Sequence, residues 1–566
     1  MIRFTHVTIR YTGAHAPVLR DVTLHLGEGE FALVTGPTGS GKSTLLGAAS
    51  GHVPHFTGGT VSGHITVGGL DTRDHRPRDL AHLVGVVRQN PLAGFVADTV
   101  EAELAYGMER LGVPPRTMRT RVEETLDLLG IADLRHRTPG TLSGGQAGRA
   151  AIAAVLAAGA RILILDEPTS ALDPGSTEEV LAALLRLVHD TGVTALVAEH
   201  RLERVLDYAD RLVVVDAGRV RSGPPADLIA DAPLAPPVVE LGRLLGWHPL
   251  PLSVRDARRA ASRAALPARL RSTLPGDHAA DAGPHLPAEG RARGWPAPPG
   301  HGKHLRSGAR GTDDAGLGAR GIDVDYGRVR AVRGVALHLP PGRITALMGR
   351  NGSGKSSLLW ALAGARAPNA GTWFVNGVRL DGAGRAARLA AVRLVPQEAS
   401  DLLYLDAVEA ECAEADTASG AAPGTCRGIL DRLTPGISPA MNPSDVSEGQ
   451  RLALVLAIQL TANAPVLLLD EPTRGLDYTA KSALGVALAG LAARGRVICV
   501  ATHDVEFAAG VADWAVVMAS GEVIADGPAG EVLAGSTVFA PQVAKVLAPT
   551  RLLTVAQVAA ALDGAP

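Results

Sequence analysis

Two nine-residue stretches of the chain are built to hold phosphate: "GPTGSGKST" at 36–44 and "GRNGSGKSS" at 349–357. Both fit the spacing G-x-x-x-x-G-K-[ST]. In that pattern glycines let backbone N–H groups wrap an anion, and the helix that follows adds the positive end of its dipole. Gly36, Gly39 and Gly41 serve the first copy; Gly349, Gly352 and Gly354 serve the second. Lys42 and Lys355 are compact charges suited to β- and γ-phosphates, and Ser43 and Ser356 carry hydroxyls that can ligate Mg²⁺. Thr44 and Ser357 carry each loop into its helix. Among 55 Lys+Arg only five are lysines: Lys42, Lys303, Lys355, Lys481 and Lys545. A chain that prefers arginine has kept lysine at both loops, where a point charge and not a fork is needed.

A second pair of motifs supplies acids. "RILILDEPT" and "PVLLLDEPT" are apolar runs ending in Asp166–Glu167 and Asp470–Glu471. Such a run suits a buried parallel strand with its chemistry at the C-terminal tip. Asp166 and Asp470 suit Mg²⁺, directly or through water. Glu167 and Glu471 suit a general base that polarises an attacking water. His200 and His503 follow β-rich runs 34 and 33 residues beyond those aspartates, placed to contact a γ-phosphate. Gln89 and Gln397 end the apolar runs "LVGVVRQ" and "VRLVPQ", where a neutral amide can meet Mg²⁺ or the attacking water. Tyr11 and Tyr326, two of six tyrosines, precede the P-loop lysines by 31 and 29 residues and can stack on adenine; packing in a minor sheet is the plainer alternative.

The elements that must position these residues come in two sets. The P-loops, the glutamines, the acid pairs and the histidines recur in the same order, with Lys42 and Lys355 separated by 313 positions and His200 and His503 by 303. A duplicated module explains this, with short apolar strands entering each loop ("FALVT", "ITALM") and helices leaving it. Between the modules, residues 273–317 are rich in Pro, Gly and Ala with no apolar period, the composition of a flexible linker. Residues 251–320 hold twelve Lys/Arg against six Asp/Glu, a mildly basic spacer. A segment of that kind can also favour anionic headgroups.

Composition limits the partners. A length of 566 residues calls for several domains, and 46% hydrophobic content with 3% aromatic predicts Ala/Val/Leu-rich α/β packing. The net charge of −2 gives no global field for nucleic acid. Cys412, Cys426 and Cys499 form no CxxC pair, which argues against a disulfide framework or a zinc site and fits a reducing cytosol. "MIRFTHVTIRY" alternates like a strand rather than a signal peptide. The longest apolar run, Ala150 to Ala160, is bracketed by Arg149 and Arg161 and is short of the roughly 20 residues that span a bilayer. The chain is expected to be soluble by itself, with any membrane spans carried by another protein.

With these motifs the chain resembles the ATP-binding-cassette superfamily, and "LSGGQ" at 142–146 is that family's signature sequence. The resemblance covers nearly everything outside 273–317. It implies an α/β fold of two P-loop nucleotide-binding domains in tandem. Each would have a RecA-like parallel core, an antiparallel β subdomain and a helical signature subdomain. The implied layout is a first domain at 1–232 with an extension at 233–272, the flexible linker, then a second domain at 318–537 with an extension at 538–566. ATP and Mg²⁺ are the implied cofactors, and ATP hydrolysis the implied activity. The family also implies head-to-tail pairing of the domains. One site would join Lys42, Gln89, Asp166, Glu167 and His200 to Ser447 and Gly449. The other would join Lys355, Gln397, Asp470, Glu471 and His503 to Ser143 and Gly145. Asp173 and Asp477 match the loop through which the sites communicate. A 45-residue flexible linker spans roughly 35–40 Å root-mean-square, enough for pairing within one chain.

The second signature reads "VSEGQ", with Glu448 where the first has Gly144. Ser447 and Gly449, the groups that face γ-phosphate in the family, remain, and Gln450 completes an S-x-x-Q capping pattern as Gln146 does after Ser143. The expectation is a tuned half-site: the site of Lys355 standard, the site of Lys42 slower or looser.

A narrower resemblance concerns importers of the energy-coupling-factor type. "RQNPLAGFVADTVEAELAYGME" (88–109) is similar to the stretch after the glutamine in their ATPases, and 236–258 and 538–562 are similar to their C-terminal extensions. This implies a polytopic transmembrane coupling subunit, a small substrate-binding membrane subunit, a place at the cytoplasmic face of the membrane, and a vitamin or transition-metal cargo. No nucleic-acid partner is implied. Another transporter group of the superfamily is the alternative. Ribosome-associated tandem cassettes carry a long charged helical linker, unlike the Pro/Gly-broken segment of this chain.

Overall fold

The computed structural model describes residues 1–170, 172–267, 270 and 315–563, in two compact units, Met1–Ala257 and Arg258–Pro566. The strands of the first unit are β1 (Ile2–Arg10), β2 (Leu19–Leu26), β3 (Phe31–Thr35), β4 (Thr60–Val67), β5 (Leu70–Asp71), β6 (Val84–Val87), β7 (Ile162–Asp166), β8 (Thr194–Ala198), β9 (Arg211–Asp216) and β10 (Arg219–Gly223). They make an antiparallel sheet of order β2-β1-β4-β5 and a six-stranded sheet of order β10-β9-β3-β8-β7-β6. In the larger sheet β6, β7, β8, β3 and β9 are parallel, and β10 returns antiparallel.

Sequence dictates both sheets. β3 and β8 are apolar or small throughout and buried at every position, as strands covered on both faces must be. β1 instead alternates, turning Ile2, Phe4, Val7 and Ile9 inward. The break in alternation after Phe4 is absorbed by a bulge at His6, whose φ of 50° returns Val7 to the buried face.

The second unit repeats the design with β11 (Leu317–Tyr326), β12 (Val329–Leu339), β13 (Ile344–Met348), β14 (Ala370–Val375), β15 (Val378–Arg379), β16 (Val392–Val395), β17 (Val466–Asp470), β18 (Val497–Ala501), β19 (Trp514–Ala519) and β20 (Glu522–Pro528). Its sheets have the orders β12-β11-β14-β15 and β16-β17-β18-β13-β19-β20. The expected α/β architecture is therefore present twice.

In each unit the helix after the P-loop is held between the two sheets. Leu45 and Ala48 of Lys42–Ala49 share a core with Phe4 and Ile164, and Leu358 and Leu362 of Lys355–Leu362 share one with Val324 and Leu468. That double cover fixes the loop opening each helix. Three helices are inserted between β6 and β7 (Val100–Arg110, Pro115–Leu128, Gly144–Ala157), and three between β16 and β17 (Val408–Ser419, Thr425–Leu433, Glu448–Thr461). Further helices follow each module: Pro237–Leu244 and Val254–Arg263, then Gln542–Leu547 and Val555–Asp563. The expected linker lies outside the described residues as far as 314, and β11 begins at Leu317. Among the described residues no helix is long and apolar enough to cross a membrane.

Candidate functional site

Both P-loops close on their own lysines. Lys42 Nζ donates to the carbonyls of Gly36 (2.8 Å) and Pro37 (3.0 Å), and Lys355 Nζ to those of Gly349 (2.9 Å) and Arg350 (3.1 Å). Gly36 has φ 152°, and a Cβ there would lie 2.0 Å from the Val215 carbonyl oxygen; Gly349 repeats this at φ 151° and 2.5 Å from the Met518 carbonyl. Only glycine fits that approach. Gly41 and Gly354, also left-handed, open the two helices, while Gly39 and Gly352 face open space.

The acid pairs sit at the tips of β7 and β17, beside the loops. Burial and the charge of Glu167 raise the Asp166 carboxyl above its usual range, against a hydrogen bond with Ser43. Burial pushes Asp470 up to about 6, partly offset by a hydrogen bond with Ser356. Asp470 Oδ1 is buried without a partner among the described residues. A cation is what such an atom lacks. A hydroxyl and a carboxylate oxygen next to a phosphate loop fit Mg²⁺, which takes oxygen donors and keeps several ligands from water or phosphate. Ser43 with Asp166, and Ser356 with Asp470, would hold it.

Glu167 and Glu471 adopt φ of 52° and 49°, in the left-handed region that costs a non-glycine residue on the order of 1–2 kcal/mol. Their N–H groups donate to the carbonyls of Ala198 (2.9 Å) and Ala501 (2.8 Å) at the ends of the adjacent strands. The tight turn swings each carboxylate toward its histidine. His200 Nε2 lies 2.9 Å from Glu167 Oε1, and His503 Nδ1 lies 2.7 Å from Glu471 Oε2. The His503 backbone N–H also donates to Glu471 Oε2, at 3.3 Å. Burial opposes ionisation of Glu471, but His503 and then Lys355 hold its carboxyl below the ordinary value. Gln89 Nε2 donates to Glu167 Oε2 at 3.1 Å. Gln397 is exposed beyond β16 and makes no such bond; its neighbour Glu398 pairs with Arg474.

The signatures begin helices. Ser143 Oγ accepts from the Gln146 N–H (3.3 Å) while Gln146 Oε1 accepts from the Ser143 N–H (3.0 Å), and Ser447 with Gln450 repeats both distances. Both capping boxes expected from S-x-x-Q are present. A Cβ on Gly145 would lie 2.8 Å from the Ser176 side chain, whereas one on Gly449 meets nothing closer than Ala480 at 3.7 Å. Asp173 and Asp477 cap their helices through the N–H groups of Ser176 and Ala480, at 3.0 and 2.8 Å. Tyr11 reaches Thr44, hydroxyl to hydroxyl at 3.0 Å. The Arg366 guanidinium lies 3.9 Å over the Tyr326 ring.

Three further features escaped sequence reasoning. Glu199 precedes His200 and is 1% exposed. Its Oε1 accepts from the Thr169 N–H at 2.9 Å, and burial, against that bond, pushes its carboxyl up to about 7. Thr502 stands in its place in the second unit, 3.5 Å from the Thr473 hydroxyl. Buried Lys481 pairs with buried Asp504 at 2.7 Å, tying the helix of Asp477 to that following His503; the scarcity of lysine was the available clue. Finally, Glu103 Oε2 accepts from the N–H groups of Val96 and Ala97 (both 2.9 Å), and Glu411 Oε1 from those of Tyr404 and Leu405. These acids organise the loops that follow Gln89 and Gln397.

Comparison of the sequence with known proteins points to one family. The family model described as ABC transporter matches residues 19–170 and 332–474. The chain is 54% identical to a putative ABC transporter ATP-binding protein of Streptomyces coelicolor, over 99% of this chain and 100% of that one. It is 32% identical to a protein of the same description in Methanosarcina mazei, over 94% of this chain and 90% of the relative. A solved structure of CbiO1 from Clostridium perfringens, described as part of an ABC transporter complex, is 29% identical and covers 41% of this chain and 90% of that chain, with a TM-score of 0.38. Two phosphate loops, two carboxylate–histidine pairs, an intact "LSGGQ" and full-length likeness to ATP-binding subunits lead to one conclusion: the chain belongs to the ABC transporter family, as an ATPase that carries the family's ATP-binding domain twice.

Proposed function

We propose that this chain powers an importer of the energy-coupling-factor type, working at the cytoplasmic face of the membrane with a polytopic coupling subunit and a small substrate-binding membrane subunit. The observation that carries the reading is the loop after each strand-end glutamine. Glu103 holds the first so that Val96 is 63% exposed, and Glu411 holds the second so that Tyr404 is 79% exposed. Exposed Val96 and Tyr404 side chains, displayed on the pinned loops that follow Gln89 and Gln397, suit the docking of helices from a membrane subunit. The helical extensions after each module support the same reading.

In this scheme Lys42 and Lys355 hold the β- and γ-phosphates of ATP. Glu167 and Glu471 each take a proton from the water attacking the γ-phosphorus, while His200 and His503 keep those carboxylates in place. Ser43 with Asp166, and Ser356 with Asp470, would hold Mg²⁺, which would supply charge neutralisation at the phosphates. Each site draws its signature from the other module, so the site of Lys42 uses Ser447 and Gly449 and the site of Lys355 uses Ser143 and Gly145. Purification of the tagged chain from native membranes, followed by uptake assays with a vitamin and transition-metal panel, tests the proposal. Recovery with both membrane subunits and uptake of one such cargo is expected. Recovery with RNA and no membrane protein, or with a membrane subunit of an exporter, refutes it.

A further inference from the structure

The two signatures differ in the loop and again one helical turn further on. Gly144 and Ala147 of the first unit stand where the second has Glu448 and Arg451. Glu448 Oε1 accepts from Arg451 Nη1 at 2.6 Å. The same guanidinium donates to three carbonyls of the segment entering the signature: Nε to Pro443 at 3.3 Å, and Nη2 to Ser444 at 3.1 Å and Val446 at 3.3 Å. The Arg451 side chain is 17% exposed and that of Glu448 52%. Ser447 and Gln450 meanwhile keep the same capping distances as Ser143 and Gln146.

An ion pair on a helix surface ordinarily contributes little, because two long side chains must be ordered to form it. Here the arginine is already fixed by three carbonyls and largely covered, so only the glutamate has freedom to lose. A carboxylate in the first turn of a helix also suits the dipole. It works against function only if it confronts an anion brought to that same N-terminus. The contact with Arg451 engages it one turn along the helix instead, against an opposite charge.

We propose that Arg451 is a positioning residue of the second signature: it retains and neutralises Glu448, so that the Ser447 hydroxyl and the Gly449 N–H stay available to a γ-phosphate. The inference rests on the reading above that the signature meets nucleotide. It accounts for how "VSEGQ" keeps a usable loop despite the added charge, which a glutamate alone would not allow.

The test uses the full chain carrying Glu471→Gln, in which remaining turnover reports the site of Glu167. Arg451→Met is expected to raise the KM for ATP about three- to tenfold, the scale of one uncompensated charge near an anion at a partly wet site, with a smaller change in kcat. The defect shrinks as salt is raised. Adding Glu448→Gly to Arg451→Met restores KM to within about twofold of the parent, since nothing is left to neutralise. Arg451→Lys keeps the charge but not the fork and is expected to lower thermal stability while leaving KM near the parent value. The proposal is overturned if the double variant stays as impaired as Arg451→Met, if Arg451→Met leaves KM unchanged both in this chain and in one carrying Glu167→Gln, or if Arg451→Lys raises KM as far as Arg451→Met does. The same variants in a Glu167→Gln chain separate the two readings. A KM effect confined to that background keeps the clasp and overturns the pairing of the second signature with Lys42.

Discussion

Replacing Glu199 by glutamine should change how the first module's stability depends on pH. Glu199 is 1% exposed, its carboxylate accepts from the Thr169 N–H, and its pKa is pushed up to about 7 from an ordinary 4.5. Burial is the main cause, and the negative charge of Glu167 adds to it, while Thr169 and His200 act in the opposite direction. A folded-state pKa above the unfolded one means that the native state binds the proton more tightly. The favourable contribution is therefore complete below about 4.5 and is lost as pH rises through about 7. The shift corresponds to about 3 kcal/mol once the group is ionised, an upper figure for so buried a site. Glutamine keeps an oxygen for Thr169 and cannot ionise. Glu199→Gln and wild type should thus differ least at the acid end of the range, while by pH 8 the variant should be higher by roughly 6–12 °C, taking about 2–4 °C per kcal/mol for a domain of this size. Scanning calorimetry of the full chain from pH 5 to 8.5, following the transition that responds to the substitution, is the assay. A melting difference that stays constant with pH would refute the assignment of a raised carboxyl, and one that grows toward acid would invert it.

Other substitutions probe the same shells. Glu471→Gln should abolish most ATP turnover while Glu167→Gln leaves a larger residual rate; equal losses in a phosphate-release assay would remove the proposed difference between the sites. Lys481→Ala removes the ammonium 2.7 Å from the buried Asp504 carboxylate, whose Oδ1 still accepts from the Phe507 N–H, and should cost up to about 3–5 kcal/mol in denaturant unfolding; adding Asp504→Asn should recover part of it, and a cost under about 1 kcal/mol would show the pair to be incidental. Gly36→Ala drives a Cβ into the Val215 carbonyl and should abolish nucleotide binding, whereas Gly39→Ala meets no atom within 4 Å and should cost only the strain of its φ of 78°, about 1–2 kcal/mol. Equal loss of fluorescent ATP analogue binding in the two would contradict the steric argument.

The parts of the site that could be read from sequence are those whose chemistry fixes both residue type and spacing. A phosphate loop needs glycines at set intervals, a lysine and a hydroxyl, so Gly36 to Ser43 and Gly349 to Ser356 announce themselves twice. The parallel core was legible for a similar reason, since strands covered on both faces must be apolar up to their tips, as in Phe31–Val34 of β3 and Val466–Leu469 of β17. The bulge at His6 was not, because a single break in alternation is equally consistent with a strand end. The left-handed backbone of Glu167 and Glu471 was hidden because no small residue marks it: the position needs a carboxylate, and the fold bears the strain through the bonds to Ala198 and Ala501. Glu199, Glu103 and Glu411 were equally hidden, since a buried acid defined by one or two backbone donors leaves no periodic trace in the chain.

Comparing the modules residue by residue locates their divergence. The phosphate lysines, the acid pairs, the histidines and the capping serines have the same identity in both. The differences sit one contact outward. Glu199 faces Thr169 where Thr502 faces Thr473. Gln89 touches Glu167, whereas Gln397 is exposed and Glu471 is met by His503. Lys481 is braced by Asp504 where the first module has Thr177 bonded to Arg204. Glu448 and Arg451 replace Gly144 and Ala147. Groups in those positions do not make or break bonds to phosphate; they set how firmly, and at what protonation, the reacting groups are held. Divergence of that kind predicts two sites with the same reaction and different KM, pH response and salt response. A module retained only as a scaffold would instead be expected to lose Lys42 or Glu167 first, because nothing in packing requires a buried ammonium in the loop or a glutamate in left-handed backbone. Both remain in both modules, each in its strained or buried place, which is difficult to account for unless each site still has to bind and cleave nucleotide.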